Sequence, residues 1–406
     1  MRNRITGLFS IIRREARIIT KDINIISIIL LAPLFYATFY TSTYINKGES
    51  DTPIAVMDLD RSNYSQEFIR KLDAHQLIRV DEVLTNINSI EDRIYKDHDQ
   101  AVVIIPENFE ASLKSGRAAT VKVYLNTVRF LVSNDLNKAI NEVVFDYYKN
   151  IRMKVFELKG FSPKQAEGMS EPIITDLRNL FNPSETYGDF LLPGILIIIL
   201  QQTLLIGLSE SVARERERNS LGELYIEANR STSAALLGKG SFYLLFYTSY
   251  AIFYFTVIFS LFRLNFKGSF ILMMIITIIF IAGLIGLTIF ISSFFRRKII
   301  VLQVIAFTTY PLFFLSGYVW PLNAMPKIFQ YLSSLLPTTP FFNSFAAVTQ
   351  MGAGIRDILP FVIHLSVLAL LWLTLSYFRM NSLFKKAVKD RAAIDAAAKE
   401  LNISQA

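Results

Sequence analysis

From Arg214 to Arg218, inside the stretch ARERERNSLGEL, arginine and glutamate alternate: Arg214, Glu215, Arg216, Glu217, Arg218. Carboxylates beside guanidiniums can move protons, pair with each other, or hold a charged partner. Glu215 stands one helical turn before Asn219, and Arg214 one turn before Arg218, so weak contacts along a helix are the plain expectation. The segment then adds Leu221, Leu224, Tyr225 and Ile226, with Glu223 between them, which is an apolar face on a short charged helix. Such a helix, offered to water, is a docking element for a partner protein. Other chemistry is thin. Gly238-Lys239-Gly240 lacks the upstream glycine and the hydroxyl of a phosphate-binding GxxxxGK[ST] loop. There is no GxSxG and no HExxH. The chain has no cysteine, so disulfides, thiolate zinc sites and thiol catalysis are excluded. His75, His98 and His364 are scattered, and no metal site is expected from them. Asp51, Asp58 and Asp60 form an acidic group, but their place at the end of an apolar run makes them turn residues before calcium ligands.

The elements that must carry these residues are apolar. Hydrophobic residues make up 52% of the 406 and charged residues only 19%, against roughly a quarter in soluble domains. A spanning helix needs about 20 apolar residues. Six stretches qualify: Ile25 to Ile45, Phe190 to Leu208, Ser241 to Phe262, Ser269 to Phe295, Ile299 to Trp320 and Leu359 to Phe378. None contains Asp, Glu, Lys or Arg. The expected fold class is a polytopic α-helical membrane protein with six transmembrane helices and an inserted extracytoplasmic α/β domain. The spans are drawn at 23–45, 188–210, 240–263, 268–295, 298–320 and 358–379.

Basic residues set the orientation. They crowd the segment before the first span (Arg13, Arg14, Arg17, Lys21) and the segment 211–239. They recur at Arg296, Arg297 and Lys298, and in the tail 380–406. The intervening loops carry few, so both termini are expected in the cytoplasm, as a bacterial inner-membrane protein would have them. The net charge of +8 reflects this bias, and no nucleic-acid partner is implied. The first span is too long for a signal-peptide core and is expected to stay as an anchor. Ahead of it, residues 1–22 put Ile5, Leu8, Phe9, Ile12, Ala16 and Ile19 on one helical face, which is an amphipathic helix lying in the lipid interface.

Residues 46–187 have ordinary soluble character and face outward by this topology. TPIAVMDLD, QLIRVDEVL, QAVVIIPENF and AATVKVYLNT are expected strands, separated by helical patterns. A longer helix is expected from Ser133 to Lys159, where Leu136, Ile140, Val143 and Tyr147 recur about one turn apart. The alternation points to a compact α/β layer domain.

The charged segment and its surroundings resemble the integral-membrane permeases of the ABC-2 exporter family. That family's pattern after the second span is close to EREKGTLEQL, followed some residues later by GK. Here Glu215-Arg216-Glu217-Arg218-Asn219-Ser220-Leu221-Gly222-Glu223-Leu224 precedes Gly238-Lys239, with Asn219 and Gly222 as departures. Asn182-Pro183, Pro193-Gly194 and the outer segment LSGYVWPLNAMPKIFQYLSSLLPTTPFF are also similar. The resemblance implies a dimer with a second permease copy or a paralogue. It implies a separate ABC ATPase subunit that binds ATP and magnesium, with no cofactor on this chain. It also implies that Arg214, Glu215, Arg216, Glu217, Leu221, Glu223, Leu224, Gly238 and Lys239 couple the ATPase to the spans. Spans two and five would line the cavity, making Gln201, Gln202, Thr308, Thr309, Tyr310 and Phe313 the candidate substrate pathway, beside the alternative that they bond helix to helix. An aromatic, uncharged route suits an amphipathic or lipid-like compound. Residues 321–357 are expected to form short re-entrant or interfacial helices outside, with Met325, Ile328, Leu332 and Leu335 on one face. A large outer domain could engage a periplasmic adaptor and an outer-membrane channel. The competing classes are a membrane-anchored receptor or scaffold, and a proton-coupled transporter, which would carry ionisable residues within its spans.

Overall fold

The computed structural model describes residues 2–46, 48–84, 90–96, 99–171, 178–183 and 185–404. His98, and the side chains of Ile5, Arg2 and Arg4, lie outside what is described. The chain forms two compact units, one of Met1–Lys47 with Asn179–Ala406, the other of Gly48–Arg178.

The first unit begins with α1 (Arg2–Lys21). Its inward stripe is Gly7, Ile11, Glu15 and Ile19, at four-residue spacing, while Phe9 is exposed. The expected apolar face is therefore turned, and it carries an acid. The chain is then helical from Ile23, through a π turn at Ser27–Leu31, to Thr43. Its apolar part, Ser27–Thr43, is α2 and stands where the first span is expected. Two tyrosines of a later helix reach carbonyls at and just after the π turn: Tyr250 donates to Leu30 O at 2.9 Å and Tyr254 to Pro33 O at 2.8 Å. Inside lipid such groups must find a donor within the protein.

The second unit holds β1 (Thr52–Asp58), α3 (Asn63–Asp73), β2 (Ile78–Leu84), α4 (Ile90–Lys96), β3 (Ala101–Ile105), α5 (Phe109–Lys114), β4 (Lys122–Leu125), α6 (Phe130–Leu158) and α7 (Pro163–Ser170). The sheet order is β2-β1-β3-β4, with β1 parallel to β2 and β3, and β4 antiparallel to β3. Ile54 and Val56 pair with Ala101 and Val103, and these apolar residues join a core with Phe68, Leu72, Phe109, Leu136, Ile140 and Tyr147. Phe68 lies 5.9 Å from Phe109 and 5.2 Å from Tyr147, centroid to centroid. Tyr147 donates to Tyr64 O at 2.7 Å, and burial, with the charge of Glu67 behind it, pushes its phenol well above the ordinary value.

The acids at the end of β1 are structural, as expected of turn residues. Asp58 Oδ1 accepts the N–H groups of Asp60 and Arg61 at 3.1 and 2.9 Å, and Oδ2 accepts the Ser65 hydroxyl at 2.7 Å. Asp60 accepts the first N–H groups of α5, from Phe109 and Glu110, both at 3.0 Å. In an open sheet the crevice beyond the carboxyl ends of the strands is where ligands bind. Here Asp58 and Asp60 are engaged by the chain's own donors, at the edge of an open cavity lined by Arg61, Arg70, Val83 and Leu84.

The first unit resumes with α8 (Tyr187–Glu217), α9 (Leu221–Glu227), α10 (Thr232–Leu261), α11 (Phe270–Ser292), α12 (Lys298–Leu315), α13 (Lys327–Ser334), α14 (Thr338–Thr349) and α15 (Ile355–Ser404). Among the described residues five helices are long and apolar enough to cross a membrane, namely α8, α10, α11, α12 and α15, and α2 is a shorter apolar one. The fold is a helical membrane protein carrying a mixed α/β domain. Three helices overrun their apolar stretches. α8 continues to Glu217 and so carries the alternating charges; α10 starts at Thr232 and so carries Gly238 and Lys239; α15 continues far past Phe378. α12 stops at Leu315, short of the expected end at Trp320. In the outer segment Ile328, Leu332 and Leu335 are exposed, and the buried anchors are instead Phe341, Phe342, Phe345 and Val348 of α14.

Replacing Asp58 by Ala removes the acceptor for three donors in a buried turn. It is expected to destabilise the Gly48–Arg178 unit by about 3 kcal/mol, since bonds to a charged group carry ~1.5–3 kcal/mol each and are not additive. Urea unfolding of that fragment beside its parent measures the difference.

Candidate functional site

The charged stretch is the last turn of α8, and most of it points inward. Arg214 and Glu215 are buried. Arg214 pairs with Asp22, next to the end of α1, and with Glu210 at 3.3 Å, and Glu210 also faces Lys298 at 3.6 Å. Glu215 accepts Arg14 of α1 through both oxygens, each at 3.1 Å, and takes the Ser220 hydroxyl as well. The same Arg14 reaches Glu227 at 2.8 Å, so one guanidinium of α1 brackets both ends of the segment carrying α9. Burial acts to lower the Arg14 pKa; Glu215 and Glu227 outweigh it and leave the pKa raised above the ordinary arginine value. Arg216 donates to the carbonyls of Ser293 and Phe295, and Glu217 accepts the N–H of Lys298 at 3.3 Å. The end of α8 thus also holds the loop between α11 and α12.

Lys239 lies deeper. Its Nζ is 2.5 Å from Glu15 Oε1 and 2.6 Å from Ser211 Oγ, and the Ser211 hydroxyl donates to Glu15 Oε2 at 2.8 Å. Glu15 is fully buried and Lys239 is 3% exposed. An isolated ion could not stay charged there. The pair closes a triangle among α1, α8 and α10. Gly238 permits it, because a Cβ at that position would come within 2.7 Å of Ile11 Cβ in α1.

The apolar face of α9 is not a free docking face. Leu221 and Leu224 are buried, and Tyr225 stacks on Phe384 of α15 at 5.2 Å. The part of α15 beyond Phe378, which hydropathy leaves as a tail, covers the face instead. Glu217, Arg218, Glu223, Ile226 and Glu227 remain exposed, with Glu223 3.7 Å from Arg391.

The second group of candidates lies on α8 and α12. Gln201 is buried and accepts the Thr338 hydroxyl of α14 at 2.8 Å. Gln202 donates to Ile305 O of α12 at 3.0 Å, and its own Oε1 has no partner among the described residues. Thr308 and Thr309 turn their hydroxyls onto their own helix, at Ile305 O and Ala306 O. Phe313 packs beside Tyr318 and Phe342, and Tyr310 stands 73% exposed. The structure brings the glutamines together as ties between helices. It does not gather the six residues into one polar cavity.

Glu15, Asp22, Arg14, Glu210 and Ser211 are missing from the sequence-based candidates. Glu15 had a signal: it is an acid at four-residue spacing between Ile11 and Ile19. A charge on an apolar stripe asks for a partner.

The profile of the family described as "ABC-2 family transporter protein" matches residues 24–378. The chain belongs to that family. Its relatives include the probable multidrug ABC transporter permease YbhR of Escherichia coli K12, 24% identical over 336 residues, which covers 82% of this chain and 87% of that protein. The inner membrane transport permease YhhJ of the same strain is 21% identical over 392 residues, covering 92% of this chain and 97% of that one. The linearmycin resistance permease protein LnrN of Bacillus subtilis is 22% identical over 356 residues, covering 82% and 88%. An ABC-2 permease subunit is not itself catalytic, and membership implies a partner ABC ATPase subunit.

Lys239→Met leaves the Glu15 carboxylate buried without its cation and is expected to cost about 3–5 kcal/mol. The double change Glu15→Leu with Lys239→Met removes both charges and is expected to recover most of that loss. Melting curves of the detergent-purified chain compare the three proteins.

Proposed function

We propose that this permease drives outward export of an amphipathic or lipid-like compound across the bacterial inner membrane, powered by a separate ATPase that binds ATP and magnesium. The observation that carries the proposal is the buried charge network joining α1, α8 and α10 around the exposed rim of α9. Arg214, Glu215, Arg216 and Lys239 are the internal frame in this reading, and Leu221 and Leu224 anchor α9 to it. Glu217, Arg218, Glu223 and Ile226 are the rim the ATPase touches. Closure of the ATPase on ATP pushes the rim, and the frame carries the displacement into the long helices. Transmission of this kind needs contacts that differ between two partner states. A stiff, ion-paired frame supports it, because a push at α9 is not absorbed locally.

The route runs along the seam of α8 and α12 in this proposal. Aromatic, uncharged surroundings there support an amphipathic cargo, and the printed names of YbhR and LnrN, one multidrug and one linearmycin resistance, agree with that class. α12 leaves Phe307 82% exposed beside Tyr310, an apolar surface for a second permease copy. The excess of basic residues in alternate loops supports a cytoplasmic charge network and an extracytoplasmic α/β domain, and in this proposal the domain is the element open to a periplasmic adaptor and an outer-membrane channel.

Pull-down of the tagged permease in mild detergent, with ATPase activity assayed on the eluate and transport assayed after its reconstitution into sealed liposomes, tests the division of roles. Glu223→Arg with Ile226→Asp on the rim is expected to lower ATPase co-purification by tenfold or more. Glu215→Ala in the frame is expected to keep the ATPase bound while reducing transport per ATP hydrolysed. Retention of the ATPase by the rim variant would remove the proposed contact surface.

A further inference from the structure

Beyond Leu315 the chain turns back, and Tyr318 comes to lie on the outer end of α8. Its hydroxyl donates to Phe190 O at 2.6 Å and accepts from Gln350 Nε2 at 3.2 Å. Its ring is parallel to Phe190, 5.4 Å away with 2° between planes, and packs on Phe342 at 4.8 Å. Gly194 is the seat. A Cβ on Gly194 would lie 2.3 Å from Tyr318 Cε1, and the three nearest atoms all belong to that ring. The missing side chain therefore makes room first of all for Tyr318. Pro193 precedes it, and a proline within the helix removes a backbone donor and loosens the outermost turn of α8.

We propose that Tyr318, seated on Gly194 and bonded to Phe190 O, is the outer gate of the α8–α12 seam, and that release of cargo requires it to lift. The inference rests on the reading that this seam is the route. Three features make the contact a gate as well as packing. First, the ring sits above the Gln202 tie to Ile305 O, so the seam is closed at two heights and Tyr318 holds the outer one. Second, its attachments are few and reversible: one hydroxyl bond to α8, one from Gln350, and ring faces. No ion pair is involved. Third, the partners of the ring come from separate elements, Phe190 from α8, Phe313 from α12 and Phe342 from α14, so separating α8 from α12 at the outer end must break the set. An amphipathic cargo can replace those faces with its own apolar surface as it leaves.

The chain contains no cysteine, which makes access measurable. A single Thr308→Cys puts a thiol on α12 beside the Ile305 carbonyl, roughly two turns inward of Leu315. The full permease with its ATPase is prepared in right-side-out membrane vesicles, and a membrane-impermeant maleimide is added outside. The vesicles are either free of nucleotide or loaded with MgATP and vanadate. Without nucleotide, labelling is expected to be slow in the parent and at least tenfold faster with Gly194→Ala, whose methyl meets the Tyr318 ring first. Tyr318→Phe, which keeps the rings and loses the Phe190 bond, is expected to give an intermediate rate, and monodisperse elution with bound ATPase shows that each variant is assembled. If the trapped complex labels readily and the nucleotide-free rates of both variants stay within twofold of the parent, the gate is overturned and the route stands. If Thr308→Cys is labelled in no state and no variant, the route itself is overturned, and the gate with it.

Discussion

Glu15 and Lys239 form a salt bridge almost wholly shielded from water, and the end of the helical unit that carries α1 and α9 is arranged around it. Between lipid-embedded helices apolar contact discriminates poorly, because lipid is as apolar as leucine. A buried charge pair discriminates sharply. Either partner alone would have to give up its charge or its burial. The pair therefore fixes the angle at which α1 lies against α10, and Ser211 adds α8 to the same arrangement. Arg14, one residue before Glu15, is then delivered to Glu215 and Glu227. The position of α9 follows from that bracket as much as from its own leucines.

The spans and the strands of the α/β domain were legible because their cause is local. Apolar runs such as Phe270 to Ser292 declare a lipid environment in any window of that length, and β1 to β4 declare themselves by short apolar runs between turn residues. Helix ends were less legible, since hydropathy reports where lipid stops and not where hydrogen bonding stops. α15 runs on past Phe378 because Phe384 and Ala387 find α9 to pack against. The inward phase of α1 was the hardest feature to read. An acid on the buried stripe is tolerated only because Lys239 meets it, and Lys239 lies 224 positions away. The reading of α9 as a free docking helix failed for a related reason. An apolar face says that something covers it, and here the covering is another part of the same chain.

The two ends of α8 are held by opposite kinds of force. Its inner end carries ion pairs in a low dielectric, where losing one partner costs about 3–5 kcal/mol. At Tyr318 its outer end carries one tyrosine hydroxyl bond, about 1 kcal/mol, and ring contacts of ~0.5–1.5 kcal/mol each, beside the apolar packing of Leu191, Leu192 and Leu196. A displacement applied to the whole helix gives way where the attachment is weakest. In the proposed cycle the inner frame keeps its geometry and the contacts around Tyr318 part. On the proposed reading this ordering sets the direction of the cycle, since energy supplied at the cytoplasmic rim does its separating work at the far side of the membrane. The cargo then meets a cytoplasmic end that stays paired and an outer end that opens, which is the polarity an exporter needs.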